Sequence, residues 1–361
     1  MSKRAARVDG GAGGLGTATG AGRRVALRDV AAAANVHPST ASRALNTETR
    51  DRVSAATVER VLEAARRVGY EPNSLARGLR TNRTYTIGML IPDLTNPLFP
   101  PIVKGIEDRL SQDGYTLVLA NTNYDLAREE EIARAMVARQ VDGLLLATAR
   151  REYALVDDLV AAGRKVVLVN RTMEHAPVAA VTGDDHLGIG LAVSHLASLG
   201  HRSLAYVGGD AEASTGLGRY QAFVARLQEE NLPLDPDLVA HAERFHEEPG
   251  AAAFAELLDR GKRFTAVVAA NDRLALGVYD VLRERGLRVP QDVSVTGYND
   301  MLFADRFSPP LTTVRIPHYQ IGVKAAQLLL EALADHDAPP MTVRLTPSLV
   351  VRESTQRPPR G

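Results

Sequence analysis

The sequence predicts an α/β protein in two parts: a small helical N-terminal module, then a longer segment of two doubly wound, parallel-sheet lobes. Three observations carry that expectation. Near the start, two short amphipathic helical patterns are joined by about three residues, the arrangement of a helix-turn-helix unit. Beyond Thr84, short β-rich apolar runs alternate with helical patterns to near the C-terminus. The charge changes sign at the same place: residues 1–84 hold 15 Lys and Arg against 7 Asp and Glu, and the remainder holds 28 against 36.

The 361 residues are enough for two or three domains. A hydrophobic fraction of 45% and a charged fraction of 24% suit a globular chain. The formal net charge of zero is a cancellation of +8 against −8, an asymmetry that suggests a polyanion-binding module joined to a different domain. Without a single Cys there can be no disulfide, thiolate catalysis or Cys-based zinc site. No run of about 18 apolar residues is present to span a membrane. Lys3, Arg4 and Arg7 are followed by Gly and Ala where a secretory signal would place its apolar core, so a cytoplasmic location is expected.

Residues 1–24 contain seven Gly and almost no large apolar side chain, too little to offset the entropy of ordering, and disorder is expected there. Gly11-Ala12-Gly13-Gly14-Leu15-Gly16 fits a dinucleotide fingerprint in letters only, because no strand pattern precedes it and no helix pattern follows.

From Leu27 the texture changes. Leu27, Val30, Ala31 and Ala34 share a helical face, with Asp29 in the first turn where the helix dipole favours it. Asn35-Val36-His37 breaks the pattern, and Pro38 suits a first helical position. The second helix, Ser39 to about Leu45, buries Ala41 and Leu45 and exposes Ser39, Thr40, Ser42 and Arg43. A third, over Ala55–Val68, closes a miniature core with Val58, Val61, Leu62, Ala65 and Val68. Small hydroxyls and an Arg on an exposed second helix can enter a DNA major groove, Arg43 reaching a guanine edge with two donors.

Leu27-Arg28-Asp29-Val30-Ala31, Ser39-Thr40-Ala41-Ser42-Arg43-Ala44-Leu45-Asn46 and Gly69-Tyr70-Glu71-Pro72-Asn73, in this order and spacing, resemble the lactose-repressor (LacI/GalR) family of bacterial transcriptional regulators. The resemblance runs from about residue 25 to about residue 353. It implies DNA contacts from Pro38, Ser39, Thr40, Ser42, Arg43 and Asn46. It also implies a hinge helix in which Asn73, Arg77 and Arg80 hold phosphates or groove walls and Leu79 wedges into the minor groove, an insertion costing a few kcal/mol of unstacking. Gly78 lowers intrinsic helicity by about 1 kcal/mol relative to Ala, as suits a helix formed only on DNA. Two features depart from the family pattern. His37 stands where a capping Ser or Thr is usual, and the turn between Asn46 and Thr57 is about two residues long in excess.

Beyond Thr84 the apolar runs are Thr86–Ile91, Thr116–Ala120, Gly143–Ala147, Lys165–Val169, Leu204–Val207, Ala266–Ala270 and Val293–Thr296. Helical patterns between them include Phe99–Gln112, Ala127–Arg139, Leu187–Leu199, Arg219–Glu230 and Leu274–Arg285. This alternation implies parallel sheets covered on both faces, in two lobes rather than one very wide sheet. Ligands of such folds bind beyond the carboxyl ends of strands. That rule selects Asn121 and Asp125, Asn170 and Arg171, Asn271 and Asp272, and Asn299 and Asp300, each of which could equally be a cap or turn residue.

The segment also resembles the periplasmic sugar-binding proteins. The matching positions make Phe99, Asn170, Arg171, Thr215, Arg219, Phe245, Asn271 and Asn299 the expected effector-binding residues. Forked Arg and Asn donors suit adjacent hydroxyls, and aromatic faces suit a sugar ring. Leu98 replaces a commonly aromatic position. Asn170 and Asn299 stand where Asp is frequent, and Ala213 where the purine-sensing branch carries Arg, which makes a purine the less favoured effector.

The expected domains are a leader (1–24), a helix-turn-helix domain (25–71), a hinge (72–84), a two-lobed effector and dimerisation domain (85–353) and a tail (354–361). The reading is a transcriptional regulator, most simply a repressor, whose operator affinity is controlled by a small ligand, a mono- or oligosaccharide. Its partners are pseudo-palindromic double-stranded DNA and a second copy of the chain; residues 353–361 hold no heptads for a tetramer. A transport-type sugar-binding protein is the second reading, opposed by the helix-turn-helix and the missing secretory leader. An enzyme is the third, lacking a strand-anchored glycine fingerprint, a P-loop or paired carboxylates. The nine His show no metal-ligand spacing, with His186, His195 and His201 expected on helix surfaces or loops. Neither a cofactor nor a metal is called for.

Overall fold

Helices α1 (Leu27–Ala33), α2 (Pro38–Leu45) and α3 (Ala55–Val68) form the N-terminal part of a computed structural model that describes residues 25–46, 49–70, 83–175, 178–335 and 337–359. In α1 the Asp29 carboxylate accepts from the Ala26 amide at 2.8 Å, satisfying one orphan donor of the first turn. Asn35 turns the chain with a left-handed backbone, φ 51°. His37 then does the capping: its Nδ1 accepts from the Ser39 amide at 3.3 Å and lies 2.8 Å from the Ser39 hydroxyl, with Pro38 at the first helical position. The longer turn also has a role. The Thr49 hydroxyl donates to the Arg43 carbonyl at 3.2 Å and Arg50 Nε to the Ala44 carbonyl at 3.1 Å, closing the open end of α2. Arg60 and Arg67 of α3 pin the end of α1 through the Ala34 and Ala33 carbonyls. Small side chains at the centre, Val30, Ala34, Ala41, Ala44 and Val61, are almost wholly buried and let the three helices approach closely.

The second unit, Thr81–Gly361, holds two six-stranded sheets. The first contains β1 (Thr86–Ile91), β2 (Thr116–Asn121), β3 (Gly143–Leu146), β4 (Lys165–Val169), β5 (Ala179–Gly183) and β11 (Thr342–Leu345), in the order β11-β5-β4-β3-β1-β2 and parallel throughout. The second contains β6 (Leu204–Gly208), β7 (Val239–His241), β8 (Ala266–Ala269), β9 (Ser294–Asn299), β10 (Thr312–Arg315) and β12 (Ser348–Val350), in the order β12-β10-β9-β8-β6-β7. Only β12 runs antiparallel to its neighbour. The covering helices are α4 (Phe99–Gln112), α5 (Leu126–Ala138), α6 (Ala154–Ala161), α7 (Asp185–Leu199), α8 (Ser214–Glu229), α9 (Glu247–Asp259), α10 (Asp272–Glu284) and α11 (His318–Ala334). The chain passes between lobes after β5, after β10 and between β11 and β12, so α11 returns to pack on α4 of the first lobe.

The central strands are buried on both faces, as helix-covered parallel sheets require. Short edge strands, notably β11 and β12, escape the sequence pattern because their half-exposed Thr, Arg and Ser read as loop until a neighbour pairs with them. Helix α8 begins at Ser214, five residues before the Arg219 start that periodicity gives. Two glycines weaken the local helix signal, yet one is required: a Cβ on Gly216 would sit 1.8 Å from the Asp210 carbonyl. No helix among the described residues is long and apolar enough to cross a membrane.

Candidate functional site

The carboxyl ends of both sheets open on one cavity. Pro92, Asn96, Leu98, Phe99, Tyr124, Asn170 and Arg171 line it from the first lobe. Thr215, Arg219, Phe245, Asn271 and Asn299 line it from the second. All eight expected effector residues, drawn from six separate stretches of chain, therefore meet at one place. Pro92, Asn96 and Tyr124 were not expected. Tyr124 supplies an aromatic wall in the lobe where Leu98 does not, held there by left-handed backbone at Asn123 and Tyr124, φ 56° and 60°.

Local structure explains the convergence. Phe99 opens α4, and Asn170 follows β4 with φ 61°. Asn299 ends β9 with φ 109°; Asn tolerates this region better than most side chains. Thr215 and Arg219 are one helical turn apart on α8 and share a face. Asn271 caps α10, its Oδ1 accepting from the Leu274 amide at 2.8 Å. Phe245 lies against Gly209, where a Cβ would come within 2.5 Å of the ring.

The two arginines differ. Arg219 is expected as a free fork, but it is already engaged: Nε donates to Asp185 at 2.9 Å and Nη1 to the Ala270 carbonyl at 2.7 Å. Its guanidinium also lies 3.9 Å from the centre of the Tyr298 ring, whose hydroxyl donates to the same Asp185 oxygen at 2.8 Å. Arg171 Nη1 donates to the Thr148 and Ala149 carbonyls at 3.0 and 3.3 Å, without a carboxylate partner among the described residues. Behind Thr148 sits the buried Glu129, whose carboxylate accepts from the Thr148 hydroxyl and whose pKa burial pushes up. Asn299 Oδ1 is buried and has no donor.

A second group of contacts crosses the cleft. Arg273, buried beside Asn271-Asp272, donates to Asp93 of the other lobe at 3.0 Å and to Glu247 of its own at 2.7 to 3.0 Å, and also meets His246. Burial raises the Asp93 pKa, but the Thr95 hydroxyl and amide and the Arg273 guanidinium outweigh it and hold it below its usual value. The Thr172 amide donates to the Ser214 hydroxyl at 2.9 Å, the Arg151 amide to the Glu212 carbonyl at 3.0 Å, and Arg244 covers the Tyr124 ring at 5.2 Å. Sequence reasoning missed Asp93 and Arg273, although Arg273 directly follows the selected Asn271-Asp272 and Asp93 lies two residues beyond the end of β1.

The other strand-end candidates hold structure. Asn121 Oδ1 accepts from the Leu94 amide, and Asp125 caps α5 through the Arg128 amide. Asp300 pairs with Arg315 and Arg352. Asp272 is wholly buried, accepting from the Thr313 hydroxyl and the Met301 amide, and burial pushes its pKa up to about 7. Of the histidines expected on helix surfaces or loops, His186 and His195 lie on α7 and His201 in the loop before β6, but the latter two are less exposed than a surface position implies. His201 is buried and bridges Thr265 and the Gln356 carbonyl, and half-buried His195 lies 2.9 Å from the Thr355 hydroxyl. Both tie residues 355–356, within the segment expected to be a tail, to the second lobe. His186 is exposed as expected.

In the N-terminal unit, Pro38, Ser39 and Arg43 are exposed, and Thr40, Ser42 and Asn46 half-buried. Ser39, Ser42, Arg43 and Asn46 follow the i, i+3, i+4, i+7 spacing of one helical face, opposite the buried Ala41 and Ala44. Asn73, Arg77, Leu79 and Arg80 lie outside the described residues.

Comparison with known proteins fits both units. Residues 26–73 match the model of bacterial regulatory proteins of the lacI family, and residues 193–355 that of a periplasmic binding protein-like domain. The chain is 32% identical over 330 residues to the HTH-type transcriptional regulator RegA of Clostridium saccharobutylicum, covering 91% of this chain and 98% of RegA. Among solved structures it resembles the transcriptional regulator CelR in complex with cellobiose, at 33% identity and a TM-score of 0.71, covering 92% of this chain and 100% of that one. It also resembles the lac repressor dimer bound to operator and the anti-inducer ONPF, at 25% identity and a TM-score of 0.80, with the same coverage.

Proposed function

The chain belongs to the lacI family of bacterial transcriptional regulators, and from that premise we propose that its affinity for operator DNA is set by a sugar held between its two lobes. The observation that carries this reading is the meeting of Phe99, Asn170 and Arg171 of one lobe with Thr215, Arg219, Phe245, Asn271 and Asn299 of the other around a single cavity. Aromatic faces, amides and guanidinium donors at that spacing suit a ring with several hydroxyls. The cellobiose held by the related CelR is a ligand of that class.

On this reading α2 enters the major groove. Arg43 contacts a base edge, and Pro38, Ser39, Thr40, Ser42 and Asn46 contact bases or phosphates around it. Asn73, Arg77, Leu79 and Arg80 form the hinge on bound DNA. Two copies of the chain bind a pseudo-palindromic operator, each reading one half-site. The ligand has differential affinity for open and closed lobes, and closure changes how the paired first lobes present the two hinges. Coupling is reciprocal: a sugar that weakens DNA binding binds less tightly to the DNA complex. The chain carries out no chemical step on its ligand.

The test is a thermal-shift screen of sugars on the full chain. A ligand at 100 times its Kd adds about 2.7 kcal/mol, and Phe245→Ala should abolish the shift. A sugar that stabilises the Phe245→Ala chain as much as the wild type does not bind in this cavity.

A further inference from the structure

Resting on that reading of the cleft, we infer that the ligand is an anionic sugar, one carrying a carboxylate or phosphate beside its hydroxyls. The cavity wall contains two guanidinium groups and no Asp or Glu. One of the two charges is already balanced, because Arg219 is paired with Asp185 at 2.9 Å and stacked on Tyr298. The other is not. Arg171 spends Nη1 on two backbone carbonyls, and no carboxylate among the described residues lies within 4.0 Å of it. The acidic groups nearest in its field are otherwise occupied: Glu129 is engaged by Thr148 behind it, and Asp210 Oδ1 accepts from the Glu212 amide.

Arg171 is half-buried, and an arginine does not escape such a site by losing its proton. A guanidinium held there without a counter-ion is costly unless a ligand supplies the charge. Arg171 Nε and Nη2 bond to none of the described residues, which leaves the planar edge that binds carboxylate or phosphate in a bidentate manner. The surroundings have the same polarity. Helices α4 and α8 both begin at the cavity, with Phe99 and Thr215 in their first turns, and their N-terminal dipoles favour negative charge.

The hydroxyl requirement rests on a separate atom. Asn299 lines the cavity and is 7% exposed, and its buried Oδ1 has no donor among the described residues, an acceptor that an O–H of the ligand could satisfy. A simple inorganic anion would satisfy Arg171 and leave Asn299 unpaired. A neutral sugar would give Asn299 its donor and Arg171 hydroxyl acceptors, but no counter-charge. A sugar acid or sugar phosphate satisfies both.

The experiment is calorimetric titration of the full chain with matched pairs: glucose against glucuronate, galactose against galacturonate, and glucose against glucose 6-phosphate. At least one acidic member should bind about 10- to 100-fold more tightly than its neutral partner, the worth of a hydrogen-bonded charge. The uronate and phosphate arms identify which anion it is. Arg171→Gln should remove that preference, bringing the acidic and neutral members of a pair to similar affinity, and Arg171→Lys, which keeps the charge, should retain part of it. Neutral sugars binding as tightly as their acidic partners would overturn the inference and leave the sugar-binding reading standing. The wild-type pairs alone decide this, whatever the stability of the variants. Heat signals from inorganic phosphate alone, or from no member of either class, would overturn the sugar-binding reading as well.

Discussion

Asp93→Asn should loosen the closed form of the two lobes. The carboxylate of Asp93 is 14% exposed and the guanidinium of Arg273 is 6% exposed, so the pair is shielded from salt. Unit charges about 4 Å apart at an effective dielectric of about 20 attract by about 4 kcal/mol before desolvation. Desolvation offsets part of this, and Arg273 keeps Glu247 after the change, so it is not orphaned. The cross-lobe remainder is about 1–2 kcal/mol, or a factor of about 5 to 30 in the closing equilibrium. Asparagine keeps an acceptor for the Thr95 amide, which preserves the loop, but turns an N–H donor toward Arg273. Because the chain has no Cys, an Arg164→Cys, Glu256→Cys pair labels each lobe once for energy-transfer distances. The variant should open in the absence of ligand, and its sugar Kd should rise by a factor in that range. Unchanged lobe distances together with unchanged affinity would show that the Asp93–Arg273 contact contributes nothing to closure.

Other substitutions test separate parts of the account. Arg43→Ala should cost about 1–3 kcal/mol of specific binding and relax one operator position; an unaltered preference in a binding-site selection refutes its base contact. Gly209→Ala places a Cβ 2.5 Å from the Phe245 ring and should drive the ring into the cavity, weakening sugar binding by the 1–3 kcal/mol typical of overpacking. Calorimetry showing wild-type affinity would rule that out. His318 is buried at the start of α11, and burial together with the Arg219 charge lowers its pKa to about 4 from the ordinary 6.5. The unfolded chain therefore binds the extra proton between those values, and stability falls as pH drops through that window. Relative to His318→Gln, the wild type should lose about 3 kcal/mol from pH 6.5 to pH 4; parallel stability curves for the two proteins would contradict this.

How much the sequence discloses depends on how far apart the interacting residues lie. The helix-turn-helix was legible because Leu27, Val30 and Ala34, and later Val58, Val61 and Ala65, repeat within single helices. The strand-end rule with the family resemblance reached eight of the twelve lining residues because each sits at a fixed place in a β-α unit. Tyr124 escaped because its position depends on two left-handed residues, which no propensity marks. Arg273 and Asp93 are 180 residues apart and stand on different lobes. The capping role of His37 was open in the sequence and is settled only by where its ring nitrogen lies. Arg219 looked free because its partner Asp185 stands on another helix, across a crossover between lobes.

The central claim is that a ligand in the cleft controls sequence-specific DNA binding. The most direct test is fluorescence anisotropy of the full chain on its selected operator, with and without a saturating amount of the sugar found by titration. The account predicts tight binding to a pseudo-palindrome in one of the two states and an affinity changed at least about 5-fold in the other, the lower end of ordinary allosteric coupling. Phe245→Ala should bind the operator normally and ignore the sugar. Operator affinity that does not move when the cleft is fully occupied would contradict the account.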